Sequence, residues 1–303
     1  MKKILVTGAT GQIGRFLSKK LNKNKKIFIG LDIIQPKILN FPFIKVNLKD
    51  QNNFKEYQEE LAGIDVLIHL ASTVNSSQDL TVEGIDSVNL NIHGTLNLLE
   101  NLPNLKHISF ASSYMVYGKP KTNPINESHP TEPENIYGAS KLLTEKILRV
   151  FSEKKNIDLT ILRFMGIYGI VAPYVKQAIP SFIEKILNSE NPIVFGTGNA
   201  KRNYIYVDDA INAILTSIDS KYGGEYNIGG LCAPSNLELI EIINYVLGSK
   251  IRPSFSSSKN KEYSFITDIT SASTKLGFRP NIGIKEGIEK TIRKYKMLRK
   301  NDS

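Results

Sequence analysis

The sequence has few residues of the kinds that cross-link proteins or bind transition metals. Its 303 residues include one cysteine, Cys232, no tryptophan and four histidines. A single thiol excludes an internal disulfide and a zinc site built on several thiolates, and it fits a reducing compartment. The histidines, His69, His93, His107 and His129, stand far apart and lack the spacing of metal ligands, so we expect no metal site.

Long apolar runs are also absent. No stretch approaches the roughly 18 apolar residues that a membrane-spanning helix needs, and the basic start leads directly into a short β-type run rather than a signal-peptide core. Hydrophobic residues still make up 41% of the chain, which is enough for a buried core. The sequence therefore predicts a globular, cytoplasmic protein with no membrane partner.

Basic residues outnumber acidic ones by 39 to 29, which gives a formal net charge of +10. They are mostly lysines scattered along the chain, whereas a nucleic-acid binder concentrates arginine, lysine and aromatic residues on one element. We therefore expect a solvated, lysine-rich surface and no nucleic-acid partner. The excess of positive charge is also compatible with a basic pocket that binds an anionic substrate.

Short apolar runs alternate with helical patterns through the first half of the chain. Near-continuous apolar strands of this kind are typical of a parallel sheet that is buried on both faces. The alternation predicts an α/β fold with a doubly wound parallel sheet. The predicted strands are 4–6, 27–31, 43–46, 66–70, 107–110 and 159–164, and the predicted helices are 13–21, 50–61, 82–99 and 136–151.

This alternation ends near residue 165. Prolines and glycines then separate shorter units, with a strand at 204–206, helices at 208–217 and 236–247, and a Ser/Lys-rich mobile loop at 253–261. We therefore divide the chain into a nucleotide-binding domain, 1–165, and a smaller substrate-binding region, 166–303, part of which returns to the first domain.

Three glycines, Gly8, Gly11 and Gly14, follow the first predicted strand and open the first helix. Glycines at this spacing let the backbone turn tightly, approach a pyrophosphate and aim a helix N-terminus at its negative charge. Asp32 ends the second predicted strand, where a carboxylate can accept hydrogen bonds from a ribose diol. Because a carboxylate repels a 2′-phosphate and the two isoleucines after it offer no cation, the pattern predicts a Rossmann-type domain that binds NAD rather than NADP.

Tyr137 and Lys141 lie four residues apart on a predicted helix, so both side chains can point into one site. An ordinary tyrosine has a pKa near 10, and a neighbouring ammonium favours the phenolate, which makes the phenol a usable acid and base. A hydroxyl that orients the substrate oxygen is available from Ser112 or Ser113, which follow the strand at 107–110.

Further segments complete a pattern that runs in order along almost the whole chain. They are His69-Leu70-Ala71-Ser72, Asn91-Ile92-His93-Gly94-Thr95, Val116-Tyr117-Gly118, Leu162-Arg163 to Tyr168-Gly169, Gly196-Thr197-Gly198 through Arg202 to Asp209, and Tyr226-Asn227-Ile228-Gly229. With the glycine turn, Asp32, Tyr137 and Lys141, these segments resemble the extended short-chain dehydrogenases/reductases, and specifically the NAD-dependent epimerase/dehydratase family.

The resemblance implies a role for each matching residue. Tyr137 would be the acid/base, Lys141 would lower its pKa and hold the nicotinamide ribose, and Ser113, rather than Ser112, would be the hydroxyl partner. It also implies a homodimer formed through the helices at 82–99 and 136–151. The implied substrate site consists of Ser72, Ser113, Tyr137 and Arg202, of which Arg202 would grip a diphosphate. The implied NAD site consists of Gly8, Thr10, Gly11, Gln12, Ile13, Gly14, Asp32, Asn47, Leu48, Leu70, Ala71, Tyr137 and Lys141.

Two departures from the family pattern concern the substrate. Gly166 stands where the family has an asparagine that helps to hold the substrate phosphate. A second phosphate-binding arginine has no clear counterpart, since Arg252 comes early and only Lys259 or Lys261 offers a point charge nearby. The nucleotide and the sugar therefore stay open.

Tyr114 and Met115 follow Ser113, at positions where relatives that eliminate water, remove carbon dioxide or epimerise C3 and C5 carry an acid or a cysteine. A thioether cannot transfer protons, so hydride chemistry alone remains. The resemblance then implies epimerisation of a nucleotide-diphosphate sugar, at C4, through a transient 4-keto intermediate. Two alternatives remain: a reductase or dehydrogenase of a keto-sugar or other small carbonyl compound, and a non-catalytic dinucleotide sensor.

Overall fold

The computed structural model describes residues 2–36, 38–73, 82–169, 177–257 and 262–301. Within these ranges the strands are β1 (Ile4–Thr7), β2 (Phe28–Asp32), β3 (Phe43–Lys45), β4 (Val66–His69), β5 (His107–Ser113), β6 (Asp158–Phe164), β7 (Gly166–Tyr168), β8 (Ile193–Phe195), β9 (Tyr204–Tyr206), β10 (Gly224–Ile228) and β11 (Ser254–Ser256). The α-helices are α1 (Gly14–Lys23), α2 (Gln58–Ala62), α3 (Val82–Val88), α4 (Gly94–Glu100), α5 (Ile136–Lys155), α6 (Ala178–Leu187), α7 (Val207–Asp219), α8 (Asn236–Leu247) and α9 (Ile284–Asn301).

The central element is a seven-stranded sheet in the order β10-β6-β5-β4-β1-β2-β3. Every neighbouring pair is parallel. The chain leaves β1 toward β2 and β3 and later returns to the other side through β4, so the strand order reverses between β1 and β4. In sheets of this type, ligands bind in the crevice outside the carboxyl ends of the strands at that reversal. The predicted α/β, doubly wound fold is confirmed.

Two apolar cores, one on each face of the sheet, explain why the strands read as continuous hydrophobic runs. Val6, Leu17 and Ile68 belong to one core, and Leu5 and Leu67 belong to the other. Alternate residues of β1 and β4 thus point to opposite faces, and both faces are covered. Packing of this kind fixes the positions of the strand ends, where the site lies.

Two predicted helices are more irregular than the sequence pattern indicates. A 3₁₀ helix, Gln51–Tyr57, precedes α2, and it begins where the Asp50 side chain accepts a hydrogen bond from the Asn52 amide at 3.0 Å. The helix predicted at 82–99 is α3 and α4 joined by a π-helical turn, Asn89–His93. Such turns are frequent at functional sites.

The second half of the chain contributes to the main sheet as well as to two small ones. Strand β10 pairs with β6, while β7 pairs with β9 and β8 pairs with β11. The division at residue 165 stays a prediction. The prediction of a mobile loop at 253–261 is wrong for the first part of that range, where β11 lies. The backbone of β11 pairs with β8, a contact that a serine-rich sequence does not reveal. Residues 258–261 lie outside the described residues.

A buried ion pair ties the catalytic part of the sheet to helix α5. The Arg163 guanidinium on β6 donates to the Glu145 carboxylate on α5 at 2.7 Å, and Arg163 also donates to the Tyr117 hydroxyl at 3.0 Å. Both charged side chains are buried. A buried pair is tolerated only where further hydrogen bonds satisfy both groups, as they do here.

Among the helices in the described ranges, none has both the length and the apolar character needed to cross a membrane.

Candidate active site

The glycine turn after β1 is shaped by close backbone contacts. Gly8 has a φ of +65°, and a Cβ on it would lie 2.8 Å from the Ala71 nitrogen. A Cβ on Gly14 would lie 1.9 Å from the Gly8 carbonyl oxygen, and Gly11 donates its amide to that same oxygen at 3.0 Å. Geometry therefore requires glycine at Gly8 and Gly14, a Cβ on Gly11 would make a tight contact of 3.1 Å with the same oxygen, and the cradle at the start of α1 fits a pyrophosphate.

Asp32 closes one side of this turn. Its carboxylate accepts hydrogen bonds from the Thr10 amide at 3.0 Å and from the Ile33 amide at 2.8 Å. Gln12 is exposed, whereas Ile13, directly before α1, is half-buried and packs against the apolar core. The carboxylate of Asp32 is held at the carboxyl end of β2, next to the glycines.

The remaining residues predicted for the cofactor lie at the ends of β3 and β4. The Asn47 side-chain oxygen accepts a hydrogen bond from the Lys49 amide at 3.1 Å, and Leu48 is buried. Leu70 and Ala71 follow β4 and cover Gly8. The structure thus brings the predicted cofactor residues to one edge of the sheet, around the reversal in strand order.

Ser113 and Tyr137 meet because α5 begins against the end of β5. The Asn135 side chain caps α5 by accepting the Gly138 amide at 2.7 Å. A Cβ on Gly138 would lie 2.4 Å from the Met115 carbonyl oxygen, so only glycine permits this approach. Tyr137 is placed beside Ser113 by this contact.

Tyr137 is 8% exposed, and two effects act on the pKa of its phenol in opposite directions. Burial raises the pKa of Tyr137 to about 12, and hydrogen bonding to Ser72 and Ser113 lowers it by less. The phenol therefore interacts with two hydroxyls, one from the end of β4 and one from the end of β5. At neutral pH the chain's own groups keep it protonated.

Lys141 is 2% exposed and lies behind Tyr137. Its Nζ donates to the Ala111 carbonyl at 2.8 Å and lies 4.6 Å from the Phe110 ring centroid and 5.9 Å from that of Tyr137. Burial lowers the pKa of Lys141 to about 7, and Glu145 opposes that shift. That Lys141 lowers the pKa of Tyr137 stays a prediction, since in the chain without a dinucleotide burial prevails and raises that pKa to about 12.

Asn91, in the π-helical turn, supports the site from behind. Its side-chain oxygen accepts from the Ser72 hydroxyl at 3.0 Å, and its amide nitrogen donates to the Ser140 hydroxyl at 2.9 Å. Ser140 donates in turn to the Tyr137 carbonyl at 2.8 Å. Sequence reasoning missed Ser140, although a polar residue three positions after Tyr137 on an otherwise buried helix face was the available signal.

Ser112 and Ser113 point in opposite directions, as successive strand residues must. The Ser112 hydroxyl donates to the buried Glu145 carboxylate. The Ser113 hydroxyl accepts from the Met115 amide at 3.2 Å and interacts with the Tyr137 phenol. Of the two hydroxyls, the one on Ser113 faces the site.

Arg202 lies near several aromatic residues and close enough to Tyr204 and Tyr263 for its charge to affect both phenols. Its backbone pairs with Phe265, whose ring meets the Tyr114 ring at a centroid distance of 4.8 Å. Burial raises the pKa of Tyr204 to about 12, and the positive charge of Arg202 opposes that shift. A Cβ on Gly166 would lie 3.0 Å from the Tyr204 ring, so the glycine makes room for that ring.

These contacts do not test whether Arg252, Lys259 or Lys261 makes the predicted second phosphate contact. Arg252 is exposed. Lys259 and Lys261 lie outside the described residues.

Comparisons with known proteins agree with this geometry. The sequence pattern of the NAD dependent epimerase/dehydratase family matches residues 4–229. The chain is 31% identical to the dTDP-4-dehydro-6-deoxyglucose reductase of Escherichia coli over 96% of each chain.

Solved structures are similar over nearly the whole chain. The UDP-glucose 4-epimerase of Thermotoga maritima, with UDP-glucose, has a TM-score of 0.88 and 28% identity, with 98% of this chain and 99% of that chain covered. The UDP-glucuronic acid 4-epimerase of Bacillus cereus, with UDP-glucuronic acid and NAD, has a TM-score of 0.87 and 29% identity, with the same coverage. The chain belongs to the NAD-dependent epimerase/dehydratase family.

Proposed function

We propose that this protein is an NAD-dependent nucleotide-sugar epimerase that inverts C4 through a transient 4-keto intermediate. One observation carries the proposal: Ser113, Tyr137 and Lys141 converge near the reversal in strand order, beside the glycine turn, and the turn after Ser113 carries Met115 instead of an acid or a cysteine. These groups suffice for moving a proton, and a dinucleotide held at the glycine turn would accept and return the hydride. The 4-epimerases among the structural neighbours support UDP-linked sugars as the first substrates to test.

NAD fits the groups at the glycine turn. Gly8, Gly11 and Gly14 would hold the pyrophosphate, and Asp32 would bind a ribose diol and repel a 2′-phosphate. Thr10, Gln12, Ile13, Asn47, Leu48, Leu70 and Ala71 would complete the site. When bound, NAD supplies the acceptor that takes the hydride from C4 and returns it.

Tyr137 would act as the acid/base at the C4 oxygen. Its phenolate takes the hydroxyl proton during oxidation, and its phenol returns that proton when the ketone is reduced on the opposite face. Ser113, hydrogen-bonded to the phenol, would hold the same oxygen. Since burial holds the pKa of Tyr137 at about 12 in the chain alone, positive charge at the bound dinucleotide must lower it for the reaction to run at neutral pH.

The Lys141 ammonium would add positive charge near the Tyr137 phenol, and Lys141 would hold the nicotinamide ribose together with Tyr137. Its ammonium lies 5.9 Å from the Tyr137 ring centroid and is anchored on the Ala111 carbonyl. Its charge costs stability because the side chain is buried.

Substrate binding would fall to Ser72, Ser113, Tyr137 and Arg202. The guanidinium of Arg202 would hold the diphosphate, while the tyrosines between it and Tyr137 would face the sugar. Ser72 lies between Asn91 and the Tyr137 phenol, within reach of a sugar hydroxyl.

A keto-sugar reductase is the second candidate, favoured by the similarity to the Escherichia coli reductase. It would use the same Ser113, Tyr137 and Lys141. The two functions differ in cofactor use, because a reductase consumes one reduced dinucleotide per turnover and an epimerase consumes none.

We also propose that the protein is a cytoplasmic homodimer, and exposed apolar side chains support the dimer. Leu143 and Val150 lie on one face of α5, seven residues apart, and Ile85 and Leu96 are exposed on α3 and α4. An exposed apolar face of this kind is typical of an interface.

The interface is tested by the mass in solution. We expect a species of twice 33.9 kDa, and a Leu143→Lys/Val150→Lys variant should run as a monomer because two charges would be buried without partners. Light scattering after gel filtration measures both. Met297→Lys, on the exposed surface of α9, is the matched control, and a monomeric wild type would refute the dimer.

The function is tested with purified protein, UDP-glucose and no added dinucleotide. We expect bound NAD to co-purify and UDP-galactose to form, and Tyr137→Phe should lower the rate by at least about 100-fold while NAD stays bound. If UDP-glucose is not epimerised but a nucleotide-linked 4-keto-sugar is reduced, with one NADH or NADPH consumed per turnover, the protein is the reductase. Full activity of the Tyr137→Phe variant would refute the mechanism.

Arg202→Ala should weaken nucleotide-sugar binding by about 10- to 100-fold, because hydrogen bonds to a charged group are lost. NAD binding should hardly change, since the glycine turn lies on other elements. Calorimetric titration with UDP-glucose and with NAD measures the two effects. Arg279→Ala, an exposed arginine elsewhere, serves as the control, and equal losses of both ligands in Arg202→Ala would point to misfolding instead.

The burial of Lys141 predicts a pH dependence of stability. The folded-state pKa of about 7 lies below the ordinary value of 10.5, so burial of the ammonium destabilises the fold below pH 7 and the cost falls as the pH rises toward 10.5. Lys141→Met removes this cost. Its melting temperature should therefore exceed that of wild type most near pH 6, and the difference should narrow by pH 10.

Thermal melts of the NAD-free proteins measure this difference. Lys146→Met, exposed on the same helix, is the matched control. A difference that stays constant from pH 6 to 10 would show that the Lys141 ammonium is not destabilised by burial.

A further inference from the structure

His69 is a buried titratable group for which the proposed reaction has no use. It ends β4, is 1% exposed and lies against the Phe110 ring at a centroid distance of 5.6 Å. Burial, with a smaller contribution from the charge of Lys141, lowers the pKa of His69 to about 3. The imidazole is therefore neutral at any pH at which the enzyme would work.

One edge of the imidazole is tied to the cofactor side of the site. His69 Nδ1 lies 2.7 Å from the Thr7 hydroxyl at the end of β1. The same hydroxyl accepts the Ala71 amide at 3.2 Å, and Ala71 is the residue that covers Gly8. Thr7 and His69 thus hold the backbone that forms the floor of the glycine turn.

The other edge is tied to the catalytic helix. His69 Nε2 lies 2.9 Å from the Thr95 hydroxyl, which donates to the Asn91 carbonyl at 2.6 Å. The Thr144 hydroxyl of α5 also lies 3.0 Å from that carbonyl oxygen, and it shares its one proton between this oxygen and the Ser140 carbonyl at 2.8 Å. The side chain of Asn91 continues the chain of hydrogen bonds through Ser140 to the Tyr137 carbonyl.

The hydroxyl protons assign one tautomer. The Thr7 hydroxyl oxygen accepts a hydrogen bond from the Ala71 amide, which leaves the hydroxyl proton to be donated to Nδ1 of His69. Thr95 spends its proton on the Asn91 carbonyl, so it must accept from Nε2–H of His69. The network therefore has a single self-consistent arrangement, with both ring nitrogens used.

We propose that His69 is a positioning residue that fixes the catalytic helix relative to the cofactor floor, through Thr7 on one side and Thr95 on the other. It acts through these neighbours and touches no reacting atom. The proposal rests on the proposed function for its kinetic consequence, but its consequence for NAD binding does not depend on the sugar reaction.

The two sides can be separated by substitution. An asparagine amide falls near the place of Nδ1 and can still meet Thr7, whereas a glutamine amide reaches the place of Nε2 and can meet Thr95. A leucine of similar volume meets neither. Only an imidazole spans both hydroxyls.

The test compares His69→Leu, His69→Asn and His69→Gln with His107→Leu. His107 is the matched control, because it is buried in the adjacent strand, hydrogen-bonded to Thr160 at 3.3 Å, but lies at the far end of the sheet opposite Val66. Each variant is assayed below its melting temperature for kcat, for KM and for the NAD retained after gel filtration.

We expect His69→Leu to lower kcat by roughly 100-fold with KM little changed, because misplacement of a catalytic group acts on the chemical step. It should also lose NAD. His69→Asn should keep a larger fraction of the wild-type bound NAD than of the wild-type kcat. His69→Gln should keep a larger fraction of the wild-type kcat than of the bound NAD. His107→Leu should lower the melting temperature alone.

Two results would overturn the proposal. One is an equal loss of kcat in His69→Leu and His107→Leu, which would make His69 an ordinary core residue. The other is full NAD retention and full kcat in His69→Leu. If the wild type shows no epimerase activity, the proposed function fails, while NAD retention still decides whether His69 holds the cofactor floor.

Discussion

Contact between Gly8 and two neighbouring segments determines much of this structure. The Gly8 carbonyl lies where a Cβ of Gly14 would be, and its Cα lies against the Leu70–Ala71 backbone. Side chains at these positions would force apart β1, α1 and the end of β4. Because they are absent, three elements meet at the reversal in strand order, and the start of α1 is open to a negatively charged ligand.

Several polar groups are buried between the sheet and α5, and the structure satisfies them with one another. Thr7, His69, Thr95 and Asn91 form one chain of hydrogen bonds, and Arg163, Glu145 and Ser112 form a second group on the other side of α5. Unsatisfied buried polar groups are costly, so these networks fix α5 in one position. That position places Tyr137 against Ser113.

The sequence predicted the sheet and the glycine turn well because their signals are local. Apolar runs, glycine spacing and Asp32 all lie within short windows of the chain. It did not predict β10 or β11, which depend on pairing with β6 and β8, and it missed α9 although Ile284, Ile288 and Ile292 stand at helical spacing. It also missed Ser140 and the two-sided bonding of His69, because hydrogen bonds between distant segments leave no periodic pattern. The state of Lys141 was outside its reach for the same reason: a pKa lowered to about 7 reflects burial, which only the packed structure reveals.

The chemistry follows from what surrounds Tyr137. The Tyr137 phenol, with the Ser72 and Ser113 hydroxyls beside it and the buried Lys141 behind it, can take a proton from an alcohol and return it. Met115 adds no second acid or base for elimination. The most direct test is a nucleotide sugar deuterated at C4, incubated with the enzyme without added dinucleotide. We predict a C4 epimer that retains its deuterium, because the hydride leaves and returns within one site. An epimer whose C4 carries hydrogen from solvent would contradict this account. So would the absence of any epimer unless a reductant is added and consumed.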